Sequence, residues 1–215
     1  METKKYVEQI KNWPNEGRHI LANYNQETIS VYQAYVNDIA KYAVKNQKFG
    51  GSFGYSRMSW IKPNFLWMMY RSGWASKIGQ EHILEIIINR IFFEEILEKA
   101  VKSTYDPELF ETKEAWKKAI ELSEVRLQWD PDHTPKGEQT IRKAIQLGLR
   151  GSILRRFGEK EIIKINDITN FVIEQKANME KSMEELLIPI ERVYIPINKK
   201  GIENIQLDFE NYERQ

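Results

Sequence analysis

The chain has 215 residues, 41% of them hydrophobic and 29% charged, with a net charge of +1. That length suits one domain with a sizeable core, and the near-neutral balance provides no global field for nucleic acid or an anionic membrane. The absence of cysteine excludes disulfides, thiolate nucleophiles, zinc–thiolate sites and cysteine-ligated clusters.

The opening METKKYVEQI lacks the apolar core of a signal peptide. No later run approaches the length of a membrane span, so a cytoplasmic protein with no membrane partner is expected. Residues 1–17 read as an N-terminal arm with a short helix, ending in a turn at Asn15-Glu16-Gly17. Two strand-like runs follow, His19–Tyr24 and Thr28–Tyr35, joined as a hairpin by Asn25-Gln26-Glu27. In the second run Val31, Gln33 and Tyr35 share one face. Asn37 is expected to cap a helix over 38–46. Gly50-Gly51-Ser52-Phe53-Gly54 then forms a loop suited to the border of a site.

The stretch from Ser56 to Trp74 is the densest in large apolar side chains. It holds Trp60, Trp67 and Trp74 of the chain's six Trp, the pair Met68-Met69, and the cations Arg57, Lys62 and Arg71. Pro63 suits a first helical turn, and Gly73 the position just past the end. Between them Phe65 to Ser72 is apolar all round until Arg71, the pattern of a buried helix. Aromatics at this spacing are the usual stuff of a core. They are also the wall of a pocket when cations are set among them, with Arg57, Lys62 or Arg71 free to hold an anion.

Ile83–Ile88 is a near-continuous apolar run, as in a central strand. Helices are expected over about 92–102 and 113–123, and Val125–Trp129 alternates as a strand that Pro131 ends. Beyond a loop at 131–140 come a strand at 141–149 and a short helix capped by Ser152. A strand at 161–165 and helices at 168–176, capped from Asn166-Asp167, and at 177–187 follow. The last strand is 192–197. The body, 18–200, reads as one α+β domain with mixed and antiparallel sheets around a buried aromatic-rich helix. The polar tail, 201–215, is expected to be disordered.

Arg126, Gln128 and Asp130 lie on the polar face of the Val125–Trp129 strand, where alternate residues can converge on a ligand or merely meet solvent. Three His, at 19, 82 and 133, are too scattered for an HExxH-type site. Asp130, Asp132 and His133 lack the oxygen-ligand pattern of an EF-hand, so no metal site is expected.

The runs VYQAY (31–35), RMSWIKPNFLWMMYRSGW (57–74), GQE (79–81), VRLQWDP (125–131), AIQLGLRG (144–151) and IKINDIT (163–169) resemble an uncharacterised family, domain of unknown function 4291, over about residues 18–172. A second resemblance is in layout, to ADP-ribosyltransferase-like folds, which split their strands into two small sheets around NAD. It implies a ligand-facing polar residue on an early strand, here Gln33 or Tyr35 in place of the usual Arg or His. It also implies a late Glu, here Glu161, that orients or activates a hydroxyl.

The leading expectation is a small enzyme or ligand binder. Arg57, Lys62 and Arg71 would hold the phosphate of an anionic, partly planar ligand such as a nucleotide. Trp60, Trp67 or Tyr70 would supply the stacking surface, and Gln33, Gln128 and Asp130 would read polar groups. NAD-dependent ADP-ribosyl transfer is its most specific form. A module for RNA or single-stranded DNA is the alternative, since cations interleaved with aromatics suit stacking and backbone neutralisation. A structural protein that oligomerises through the Trp-rich face is the third.

Overall fold

The computed structural model of the chain describes residues 1–208. It opens with β1 (Thr3–Lys5), α1 (Tyr6–Gln9) and a 3-10 turn at Ile10–Asn12, then β2 (Ile20–Ala22), β3 (Thr28–Tyr35) and α2 (Asn37–Asn46). The middle carries β4 (Ser59–Ile61), α3 (Phe65–Ser72), β5 (His82–Asn89), α4 (Arg90–Lys99), β6 (Ala100–Lys102) and α5 (Lys113–Leu122). The rest is β7 (Val125–His133), β8 (Gln139–Leu149), α6 (Gly151–Glu159), β9 (Ile162–Asp167), α7 (Thr169–Lys181), β10 (Leu187–Pro189), β11 (Arg192–Tyr194) and α8 (Lys199–Ile205). Helices and strands do not alternate as in a parallel α/β protein, and the fold is α+β.

Two sheets organise the body. The first has the order β3-β5-β9 and is antiparallel throughout. Its central strand, β5, is the apolar run around Ile83–Ile88, buried on both faces. The second has the order β4-β8-β7-β6, antiparallel except for the β6–β7 pair. Strand alternation divides the first sheet's side chains between two clusters. Ile29, Val31, Leu84 and Ile86 share one core with Val125, Leu127, Ile145 and Leu147 of the second sheet. Tyr32 and Ile83 pack instead with Phe65, Leu66, Met68 and Met69 of α3 and Val172 of α7.

Helix α3 occupies the span that its apolar run defines. The Asn64 side chain caps it by accepting the Trp67 N–H at 2.6 Å. Gly73, at φ 60°, ends it in the left-handed conformation that glycine adopts without strain. A second polar group holds its start: Glu191 Oε1 accepts the Phe65 N–H at 2.6 Å. Burial holds this carboxyl well above the usual carboxylate range, with the Phe65 bond opposing.

Several expectations are corrected. The turn at Asn25–Glu27 forms, with Ser30 N–H on Asn23 O at 2.9 Å, but β2 runs along β11 rather than β3. Val36, not Asn37, precedes α2 as its cap. Ile168, not Asn166 or Asp167, occupies the cap position of α7. Arg150 does so for α6, and Ser152 instead bonds Glu124. Pro131 does not end β7, which continues to His133; Pro131 pairs with Lys143, whose N–H turns outward to Gly17 O at 2.8 Å, so this pair calls for no proline N–H. The helix expected over 177–187 is helical only to Lys181, as the continuation of α7, and is followed by a 3-10 turn at Met183–Glu185 and β10.

Both ends of the described residues are tied to the body. β1 pairs with β10, and Tyr6 and Trp13 of the expected arm are buried. Gln9 Nε2 bonds Ile188 O and Pro189 O at 3.3 and 3.1 Å. The expected tail begins as α8, whose Ile205 is fully buried, and Asp208 binds Arg18. The remainder of that tail, residues 209–215, lies outside the described residues.

Candidate functional site

Besides sharing a core, the two sheets are joined at a seam by a backbone bridge between their edges. The Tyr32 N–H donates to Lys62 O at 2.7 Å, an isolated bridge between the end of the β4 segment and β3. Next to it, Gln33 Nε2 donates to Ser59 Oγ at 2.7 Å and to Trp60 O at 2.9 Å. The Tyr35 hydroxyl lies 3.1 Å from the same Ser59 Oγ, and burial pushes its pKa far above the ordinary phenol value.

A pocket of about 640 Å³ opens at this seam. Gln33 and Tyr35 of β3 line it on one side, and Ser52, Phe53 and Gly54 of the glycine-rich loop on another. Arg57, Met58, Ser59, Trp60 and Lys62 form the opposite wall, and Met68 and Arg71 of α3 with Gly79 and Gln80 complete it. No Asp or Glu is among the lining residues.

The three cations have different surroundings. Arg57 and Arg71 are exposed. Among the described residues neither guanidinium makes an ion pair or hydrogen bond. Lys62 is buried, 8% exposed. Its Nζ donates to Trp60 O at 3.1 Å and lies 5.4 Å from the centre of the Trp67 ring. Burial pushes its pKa down to about 7, the Arg71 charge adds to that, and Asp130 opposes it. Gln33 is also buried, and its Oε1 has no hydrogen-bond partner while its amide is fixed by Trp60 O. A lining residue therefore holds a buried, unpaired acceptor in the same pocket wall as three cations.

A lysine whose folded pKa lies below its unfolded value is a burden when protonated. The penalty is full below about pH 7 and is relieved as pH rises toward the unfolded value near 10.4. Lys62→Met is therefore expected to raise stability more at pH 6 than at pH 9, by about 2–3 kcal/mol. Urea denaturation of both proteins at the two pH values measures this, and an equal effect at both would place a charged, solvated amine there.

The walls of the site have local causes. Trp60 faces Gly148 across the β4–β8 pair. A Cβ at Gly148 would lie 2.5 Å from Met58 Sδ and 3.0 Å from the Trp60 ring, so only glycine lets both side chains lie against the strand. Below Arg71 the chain makes a left-handed turn through Gly73, Trp74 and Ala75, all at positive φ. The Trp74 indole, whose Nε1 donates to Pro135 O at 3.2 Å, anchors that turn.

The structure brings Gln33, Tyr35, Arg57, Trp60, Lys62 and Arg71 together around the pocket. It places the other expected residues elsewhere. The Tyr70 ring stacks on His133 at 3.4 Å between centroids. Arg126 Nη1 donates to Ser123 O at 3.1 Å. Gln128 and Gln146 both donate to Asp130, at 3.1 and 2.6 Å, and Asp130 meets the pocket only through its charge on Lys62. Glu161 is ion-paired with Arg156 at 2.8 Å, and Arg156 also holds Glu95. Ser52, Phe53 and Gly54 of the glycine-rich loop border the pocket as expected, whereas Ser59, Met58 and Gln80 line it without having been singled out. Ser59 carried a signal: it is the small polar residue one step from Trp60 on a short apolar strand.

A profile of the family described as Domain of unknown function (DUF4291) matches residues 19–194. The chain belongs to the DUF4291 family. The matched span of this DUF4291 chain contains every residue that lines the pocket. No curated protein matches it. Among its described residues no cluster of three or more His, Cys, Asp or Glu is placed to hold a metal ion. Among them also, no helix is long and apolar enough to cross a membrane.

Proposed function

We propose that this pocket binds an anionic small molecule with a planar part, with nucleotides as the leading class. The observation that carries the reading is the set of three cations, Arg57, Lys62 and Arg71, around one pocket that no carboxylate lines. Among the described residues none of the three is in an ion pair, and such groups favour phosphate or carboxylate ligands. The volume, about 640 Å³, falls within the range of small-molecule sites. Trp60, Phe53 and Tyr35 add aromatic surface for a base or ring.

ADP-ribosyl transfer from NAD would need a carboxylate at the reacting end. Glu161 is engaged by Arg156 away from the lining, so NAD enters here as a candidate ligand rather than as a substrate. The cytoplasm, rich in nucleotides, is the compartment this reading assumes.

A thermal-shift series with NAD, ATP, GTP, ADP-ribose, nucleoside monophosphates and a short single-stranded RNA, at low and moderate salt, tests it. A ligand at a hundredfold excess over its Kd adds about 2.7 kcal/mol of apparent stability. Arg71→Ala is expected to weaken that ligand by about tenfold or more, the worth of a charge-assisted hydrogen bond. It should leave the free protein's melting temperature unchanged, because the side chain is exposed and unpaired. A shift with RNA alone, lost at moderate salt, would replace this reading with nucleic-acid binding. No shift with any of them would remove it and turn attention to self-association.

A further inference from the structure

A buried lysine normally has a carboxylate beside it. Lys62 has none in contact: among the described residues it makes no ion pair, its Nζ has one hydrogen bond, to Trp60 O at 3.1 Å, and the Asp130 charge acts on it less than that of Arg71. It nevertheless lines the pocket, between the Trp67 ring and the cation Arg71. An amine desolvated among apolar groups and next to another cation is the arrangement that keeps its lone pair free for attack. Burial lowers its pKa to about 7, whereas an ordinary lysine is neutral in only about one molecule in 2,500 at pH 7.

We propose that Lys62 is a nucleophilic amine that captures, as an imine, the aldehyde or ketone group of a phosphate-bearing ligand such as an open-chain sugar phosphate. The inference builds on the anionic-ligand reading of the same pocket and adds the reacting group. Arg57 and Arg71, exposed at the opening, hold the phosphate, and Lys62 meets the carbonyl. Gln33 Oε1, which lacks a partner, accepts from a ligand hydroxyl. In the step itself the Nζ lone pair forms the new C–N bond while the carbonyl pair moves to oxygen. The nitrogen gives up its two protons and the oxygen takes up both. The C–O bond then breaks, water leaves, and the C=N bond forms. One amine and one carbonyl give one imine and one water, with no oxidant or reductant.

The test uses two aldehydes on the full chain. Pyridoxal 5′-phosphate has a planar ring, an aldehyde and a phosphate; pyridine-4-carboxaldehyde has the ring and aldehyde alone. Each is incubated at pH 7, reduced with borohydride, and the modified peptides are mapped by mass spectrometry. The expected result is an adduct at Lys62 about tenfold or more above that at any other lysine. Pyridoxal 5′-phosphate should be favoured over the neutral aldehyde, and that preference should vanish in Arg71→Ala. Equal labelling of Lys62 by both aldehydes would uphold the nucleophile while removing the anionic-ligand reading. Labelling spread over the surface lysines, with no excess at Lys62 at pH 7 or 8.5, would overturn the inference even if nucleotides bind. The decisive reading is on the unaltered protein, so it does not depend on a variant's folding.

Discussion

Asp132→Ala is expected to cost about 3–5 kcal/mol of stability, the penalty for stripping a buried ion pair of one partner. Arg142 donates through Nε and Nη2 to Asp132 Oδ2 at 2.8 and 2.6 Å, and the side chains are 6% and 1% exposed. Removing the carboxylate leaves a guanidinium that water cannot reach. Arg142 also donates to Pro14 O at 2.6 Å and sits 5.3 Å from the centre of the Trp13 ring. The loss should therefore loosen the N-terminal segment as well as the β7–β8 hairpin. Urea denaturation measures the cost, and hydrogen exchange locates it. The double change Asp132→Leu with Arg142→Met should recover most of it, since apolar replacement of a whole buried pair is often neutral. A single-variant loss below about 1 kcal/mol would mean that Arg142 finds water or another anion.

Phe65→Ala is expected to cost a similar amount, about 3–5 kcal/mol, from lost transfer energy and the cavity left behind. Phe65 is fully buried, with Tyr32 edge-on at 5.6 Å and Trp74 at 6.1 Å. It starts the helix that places Arg71 at the pocket. Calorimetric melting gives the stability change. Phe65→Leu, which keeps most of the volume, should recover more than half of it. The comparison with Arg71→Ala separates two roles on one helix. The first position should move stability, and the seventh should move binding alone. A Phe65→Ala protein as stable as the parent would mean that α3 is not the support of this side of the core.

The central helix was legible because composition and punctuation agreed. An unbroken apolar run over 65–70, a glycine at 73 and a cation at 71 leave little freedom about its length or burial. The cations of the same stretch converge on one pocket because β4 and α3 are separated by a short turn, so sequence proximity became spatial proximity. Tyr70 shows the limit of that logic. It follows Trp67 at helical spacing on α3, yet its ring stacks on His133, a residue brought in by the distant β7. The Arg126, Gln128 and Asp130 face was read correctly as a face, yet which sheet surface meets a pocket depends on packing between sheets. Glu161 was chosen for its place before a strand, and only tertiary contact shows Arg156 beside it. The partner of β2 was missed for the same reason. Adjacent strands favour hairpins, whereas β11 competes from residues 192–194, far along the chain.

The pairing of β1 with β10 joins Thr3 to Pro189, and Arg18 reaches Asp208. Contacts of such sequence separation require closure of nearly the whole chain, which slows folding. During synthesis the N-terminal segment leaves the ribosome long before its partners exist. Tyr6 and Trp13, buried in the finished fold, then wait in water as exposed aromatics until residues 187–208 emerge. Nascent chains stopped short of that point should present a surface that attracts chaperones, and emergence of residues 187–208 becomes the moment at which the fold locks.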